Sequence, residues 1–214
     1  MIKTVSYTHT NSYETLNELT SSTRNIWVCF HGLGYLSKYF KNYFKELPAS
    51  ENYILIPQAP SKFYLDKSFK NVGASWLTRI DTDQEMQNNL AYIKEILSNE
   101  HVLTDHRLIF FGYSQGVSIA TRVLKHHNTP VKAIIMHSGS IPAELTSQDG
   151  THFSSICSRF IHISGTKDEY SNEKVIQREM DKVTMLFGTS CEMHRPDIKH
   201  VVHVPLLNEI AKTL

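Results

Sequence analysis

The chain reads as one α/β domain, residues 1–214, built around a mostly parallel sheet, and three observations predict it. Short apolar runs rich in strand formers alternate with stretches of helical periodicity from end to end, with no repeat and no linker. The 214 residues suffice for one substantial core and fall short of a comfortable two-domain length. Between Leu108 and His127 an apolar strand passes into a helix through Gly112-Tyr113-Ser114-Gln115-Gly116.

Residues 1–24 are polar, with weak alternation around Val5 and Tyr7 and again near Tyr13 and Leu16, which predicts an edge hairpin. Asn25 to Phe30 (NIWVCF) is the first buried strand and runs into His31-Gly32-Leu33-Gly34. Leu36, Phe40, Tyr43, Phe44 and Leu47 then recur at helical spacing until Pro48 stops them. Tyr53 to Ile56 is a second buried strand, ended by Pro57. Residues 57–80 hold prolines, aromatics and a glycine and predict a long ordered loop, a feature that usually serves function in a compact domain. Thr82-Asp83-Gln84-Glu85 has capping-box spacing and opens a helix with Met86, Leu90, Ile93 and Leu97 on one face.

Leu108 to Phe111 is the next strand. The helix after Gly116 carries Val117, Ile119, Ala120, Val123 and Leu124, too many for one narrow stripe, so it packs on more than one side. Val131 to Met136 is a strand that ends in the turn His137-Ser138-Gly139-Ser140, and residues 141–157 read as irregular. Arg159 to Ser164 alternates as a strand and enters Gly165-Thr166-Lys167-Asp168. Ser171 or Asn172 caps a helix with Ile176, Met180, Val183 and Phe187 on its face and Gly188 at its end. Ser190 to His194 is the last strand and Leu206 to Leu214 the last helix.

Composition excludes several classes. Hydrophobic content of 41% and charged content of 20% are those of an ordered globular protein. A formal net charge of +1 leaves no electrostatic footprint for nucleic acid or an anionic membrane. No apolar run approaches a membrane span, and MIKTVSYTHTNSYETLN lacks the features of a signal peptide. Cys29, Cys157 and Cys191 form no C-x-x-C and predict free thiols in a reducing cytoplasm, with neither a disulfide framework nor a zinc site.

The chemistry centres on Ser114. G-x-S-x-G between a strand and a helix is the form of a nucleophile elbow, a sharp turn that lifts a serine to the tip of a sheet. Gly112 and Gly116 let neighbouring chain pass close, and the helix that follows turns free N–H groups toward developing negative charge. An elbow serine needs an acid and then a histidine further along. Asp168 follows a strand and a glycine turn, which places it at the sheet's carboxyl edge. Glu169 beside it would point elsewhere, and Asp149 and Asp197 end no clear strand. For the base, His194, His200 and His203 all lie near the end. His194 falls in the last strand, whereas the residues alone leave His200 and His203 open. His200, His203 and Asp197 lack a further convergent ligand for a metal, and no cofactor is expected.

FHGLG, IPQAP followed by a glycine and SW, GYSQG, GTKDE and a KH pair ahead of a closing helix carry a wider resemblance. In order and spacing they are similar to the phospholipase/carboxylesterase family of α/β-hydrolases, which includes acyl-protein thioesterases and small bacterial carboxylesterases. The resemblance runs from about Trp27 to the C-terminus. It implies an α/β-hydrolase fold, with helices on both faces of a mostly parallel sheet and no large lid domain. It also implies that the backbone N–H groups of Leu33 and Gln115 form an oxyanion hole, with His31 fixing the loop by hydrogen bonds. Counted back from Leu214 without a gap, the family's histidine falls on His200, with Lys199 where a glycine is common. Tyr35 stands where many members have Asp and Val117 where many have Gly. Trp76 resembles a tryptophan near the pocket mouth, and Phe63 and Tyr35 join it as expected substrate contacts. The implied activity is a cofactor-free serine hydrolase for small-molecule esters or thioesters. Residues 141–157 are too short and polar for a helical lid, and Phe63, Tyr64, Leu65, Phe69, Trp76 and Leu77 offer a modest apolar wall, which predicts short to medium acyl esters. An acyl-protein thioesterase or lysophospholipase would use the same triad, and an inert binding protein with this fold is the alternative of another class.

Overall fold

The structure is a computed structural model and describes residues 1 and 3–214. In chain order its elements are β1 (Tyr13–Leu16), β2 (Asn25–Phe30), α1 (Ser37–Phe40), β3 (Asn52–Pro57), β4 (Ser61–Tyr64), β5 (Val72–Ser75) and α2 (Thr82–Asn99). Then follow β6 (Leu108–Tyr113), α3 (Gln115–His126), β7 (Ala133–His137), α4 (Ser147–Ile156), β8 (Phe160–Ile163), α5 (Glu173–Phe187), β9 (Cys191–His194) and α6 (Val204–Thr213). Seven strands form one sheet in the order β1-β3-β2-β6-β7-β8-β9, all parallel except β1, which runs antiparallel to β3.

The strands are buried on both faces, and their period of two splits the core in half. Ile26, Val28 and Phe30 of β2 face one layer, with α2, α3, α4 and α5. Trp27 and Cys29 face the other, with Phe40, Phe44 and α6. This is the α/β-hydrolase arrangement, and among the described residues no separate lid domain stands over the sheet.

Several expectations need correction. Val5 and Tyr7 are exposed and form no strand, so there is no edge hairpin. The second alternation alone becomes β1, because it pairs with β3, Tyr13 opposite Pro57. The apolar series from Leu36 to Leu47 breaks after one turn, α1 giving way to a 3-10 turn at Lys41–Phe44. The segment 57–80 is no plain loop, since β4 and β5 pair within it as an antiparallel hairpin. Thr82 does not cap α2. Asp81 precedes the helix at φ 52°, and the Thr82 hydroxyl donates to the Thr78 carbonyl at 2.7 Å. Residues 141–157 contain α4, whose start is held by the Asp149 carboxylate accepting from the Thr146 N–H at 2.7 Å. Asn172, the second of two candidates, caps α5 by accepting from the Val175 N–H at 3.0 Å.

The chain lays β3 on one side of β2 and then crosses to build β6 to β9 on the other. Strand order therefore reverses between β2 and β6, and their carboxyl ends flank the crevice where such sheets bind ligands. Residues 31–34 leave β2 there, and Ser114 leaves β6. The two are pressed together at Gly116, where a methyl group would stand 1.9 Å from the Phe30 carbonyl oxygen. At Gly112 a methyl group would meet the Gly116 carbonyl oxygen at 2.5 Å. Neither clash can relax through a flexible side chain, because both involve backbone. Gly116→Ala is therefore expected to lower unfolding stability by about 3 kcal/mol or more, read as a fall in the urea midpoint at unchanged slope.

Candidate active site

Ser114 sits between β6 and α3 at φ 54° and ψ −120°, a backbone conformation that non-glycine residues rarely adopt. Holding it there costs on the order of 1–3 kcal/mol, which the surrounding fold must supply. Its N–H donates to the His137 carbonyl at 2.9 Å, tying the turn to the end of β7.

The Ser114 hydroxyl lies 3.0 Å from His200 Nε2, and His200 Nδ1 lies 2.8 Å from Asp168 Oδ2. A carboxylate only accepts, so Nδ1 carries the hydrogen and Nε2 is left to accept from the serine. Asp168 is 7% exposed, and its other oxygen accepts the Tyr170 N–H at 3.0 Å. The loop bearing His200 is pinned from three sides. Tyr113 donates its hydroxyl to the His200 carbonyl at 2.8 Å, and the His200 N–H donates to Glu169 Oε2 at 3.2 Å. The Tyr170 ring meets the imidazole edge-on at 4.8 Å.

His203 has a different place. It caps α6, Nδ1 accepting the Leu206 N–H at 3.2 Å, while its own N–H donates to His137 Nε2 at 3.0 Å. Asp197 is paired with Lys167 at 2.8 Å and accepts from Thr166. His200, His203 and Asp197 thus point to three different partners.

The loop 31–34 abuts the serine, since a methyl group on Gly32 would come within 3.0 Å of Ser114 Cβ. Among the described residues the backbone N–H groups of Leu33 and Gln115 donate to no protein acceptor. Gln115 follows Ser114 directly, and Leu33 follows Gly32 in the loop that leaves β2. His31 fixes the loop. Its Nε2 accepts the Ala59 N–H at 3.1 Å, which leaves Nδ1–H to donate to the Gly32 carbonyl at 2.8 Å. Burial lowers its pKa to about 4, so the ring is neutral.

Tyr35 is half-buried, its ring edge-on to Tyr113 at 5.8 Å and its hydroxyl 3.1 Å from that of Tyr43. Phe63 is 40% exposed on β4. From the same hairpin Leu65 reaches the 31–34 loop, 3.4 Å from where a Gly34 Cβ would be. Trp76 requires correction: it has no exposed surface and lies beneath the site instead of at its mouth. Its ring packs against Phe30 and His31, and Nε1 donates to the His31 carbonyl at 2.8 Å. Further side-chain contacts hold the same frame. The Gln115 side chain accepts the Trp76 N–H at 2.9 Å and donates to the Leu77 carbonyl at 2.8 Å. Tyr113, His137 and Tyr170 tether the histidine loop. Of these three, only Tyr113 carried a sequence signal, its place inside the G-x-S-x-G motif.

A serine that donates to an imidazole, itself oriented by a buried carboxylate beside two unpaired N–H groups, is suited to nucleophilic attack with proton transfer. The fold and this arrangement together define an α/β-hydrolase. The sequence profile described as Phospholipase/Carboxylesterase matches residues 11–214, and the chain belongs to that family. A hydrolase of Schizosaccharomyces pombe described as uncharacterised is 25% identical over 150 residues, 64% of this chain, so the match spans 61% of that relative's length. Acyl-protein thioesterase 2 of Zea mays superposes with a TM-score of 0.72 at 18% identity, covering 95% of this chain and 97% of the other. A phospholipase/carboxylesterase of Dyadobacter fermentans gives a TM-score of 0.65 at 17% identity over 96% and 98%. At such identities the structural likeness speaks to the fold.

Four buried histidines give the fold a pH dependence. Burial lowers His31 and His162 to about 4, His137 to about 3, and His127 as well, below the ordinary value of 6.5 that the unfolded chain restores. Their stabilisation is present above pH 6.5 and is lost as pH falls toward 4. Glu179 acts oppositely: burial raises it from 4.5 to about 7, so its contribution is present below pH 4.5 and fades as pH rises to 7. The histidines outnumber it. Unfolding free energy is therefore expected to fall by roughly 2 kcal/mol for each unit by which pH is lowered near pH 5.5, measured by denaturant titration at a series of pH values.

Proposed function

We propose that the protein is a serine hydrolase that cleaves carboxylic esters through an acyl-enzyme. The observation that carries this reading is the continuous hydrogen-bonded chain Ser114–His200–Asp168 beside the free N–H groups of Leu33 and Gln115. His200 takes the proton of Ser114 as the serine attacks the carbonyl carbon, and Asp168 stabilises the imidazolium without accepting that proton. The oxyanion develops toward Leu33 and Gln115, two preorganised donors each worth roughly 3 kcal/mol. The alcohol leaves with the proton from His200, and a water molecule repeats the sequence to release the acid. The roles of His200 and His203 divide by hydrogen bonding: an imidazole whose Nδ1 caps a helix cannot also be oriented by Asp168. Unpaired Cys29, Cys157 and Cys191 support a reducing compartment, the cytoplasm.

Short to medium acyl chains fit the open site. The β4–β5 hairpin offers a modest apolar wall at Phe63 and Leu65, and with Trp76 buried below it there is little area to enclose a long chain at ~0.8 kcal/mol per CH₂. A thioesterase or lysophospholipase reading rests on Tyr64 and Phe69, exposed further along that hairpin, which extend the apolar surface.

Values of kcat/KM for p-nitrophenyl esters from acetate to palmitate, with a palmitoyl thioester and a triglyceride emulsion alongside, test the reading. The expected maximum lies between about two and eight carbons, with little turnover of the emulsion. His200→Ala is expected to lower kcat by roughly 10⁴-fold while His203→Ala keeps most activity. A maximum at palmitate moves the substrate to the longer-chain reading, and equal losses in both histidine variants contradict the assignment of the base.

A further inference from the structure

Between the loop after β7, the end of β8 and α5 lies a cavity of about 90 Å³. His200 and Asp168 border it on one side, Glu179 and His162 on another. The mechanism above uses neither of the second pair. Glu179 is 8% exposed, and its Oε1 accepts the Ile141 N–H at 2.8 Å. The His162 ring stands 4.0 Å away, beyond hydrogen-bond reach, and is neutral because burial lowers it to about 4. The basic side chains near Glu179 do not neutralise it. Lys182 is engaged by the carbonyls of Ala143 and Leu145 at 2.8 and 2.9 Å, and Arg178 is exposed on α5. Burial accordingly pushes Glu179 up to about 7, the behaviour of a carboxylate short of positive charge.

The cavity's lining is rich in acceptors. Nε2 of His162 is the nitrogen nearer Glu179; Nδ1 is buried without a partner and is an acceptor in the Nε2–H tautomer. The Ser164 hydroxyl adds a further acceptor. A phosphate or carboxylate would meet Asp168 and Glu179 as like charges. An occupant with an N–H donor and a positive charge complements every one of these groups. Tyr170, 73% exposed, lines the same cavity and brings an aromatic ring, a group that attracts cations, to its wall. A cavity of about 90 Å³ between the loop after β7, β8 and α5 suits a small group.

We propose that this cavity is a leaving-group subsite for a small protonated amine carried on the alcohol side of the ester. The inference rests on the serine-hydrolase reading in one respect. The proton passes from His200 to the leaving oxygen, so that oxygen and its substituent lie on the His200 side, which the cavity borders. The acyl chain then extends toward the β4–β5 hairpin.

Two butyrates of matching skeleton test it: 2-(dimethylamino)ethyl butyrate, cationic at pH 7, and the uncharged 3-methylbutyl butyrate. Acid release is followed titrimetrically, and each kcat/KM is divided by the rate of uncatalysed hydrolysis. The expected ratio favours the amine by about tenfold or more and falls toward one in Glu179→Gln, whose side-chain oxygen still accepts from Ile141. Binding is read separately by titrating 2-(dimethylamino)ethanol into Ser114→Ala protein and following the His162 ring resonances by NMR. Saturable binding that weakens about tenfold or more on adding Glu179→Gln supports the subsite. A wild-type ratio near one, a ratio indifferent to Glu179→Gln, or no amine binding to Ser114→Ala overturns it. Absence of Ser114-dependent hydrolysis of either ester would instead overturn the serine-hydrolase reading, and the binding titration would still decide the subsite.

Discussion

The contact on which the site depends is backbone on backbone: Gly116, at the start of α3, lies directly on the Phe30 carbonyl at the end of β2. Nothing with a Cβ fits there. The contact brings the helix N-terminus against the neighbouring strand's exit, and two consequences follow. Ser114 is forced into a positive-φ turn that lifts its side chain above the sheet, and Gln115 begins a helix with its N–H unpaired. The loop 31–34, leaving β2 at the same point, is brought against Ser114 with the Leu33 N–H also unpaired. A single steric constraint thus sets the serine turn and the loop 31–34 together before any side chain acts.

Around that constraint the fold uses neutral histidines as struts. His31 ties the loop after β2 to Ala59, and His137 accepts from the backbone of the histidine loop while its carbonyl holds the Ser114 N–H. Burial keeps both rings uncharged, which lets one nitrogen of each accept. His200 and His203 are both partly exposed, and their hydrogen-bond partners tell them apart: a buried carboxylate for one, a helix N-terminus for the other. The expected acid sensitivity of the fold follows from the buried, neutral rings.

Most of this was legible from local chemistry, and the rest depended on partners far along the chain. The buried strands β2, β3, β6 and β7 declare themselves because both faces are covered, so their sequences are near-continuous apolar runs. The β4–β5 hairpin was missed because its register is set by packing against the 31–34 loop, where Gly73 and Gly34 meet backbone to backbone. Helix α4 was missed because its residues are polar and only Gly150 and Phe153 are buried. At the site, Ser114 and Asp168 follow from motif and strand order. His200 and His203 look alike in sequence, and the carboxylate at 2.8 Å from one and the helix cap made by the other separate them. Trp76 misled for a related reason: an aromatic residue near a pocket can hold the floor as readily as line the wall.

The central claim is that Ser114 forms a covalent acyl-enzyme. Reacting the protein with p-nitrophenyl butyrate, quenching in acid within milliseconds and mapping peptides by mass spectrometry tests it directly. The account predicts a butyryl group on the peptide carrying Ser114, on that residue alone, with an initial burst of p-nitrophenol that does not exceed one equivalent. Turnover with no acylated serine, or acyl groups on another residue that persist in Ser114→Ala, would contradict it.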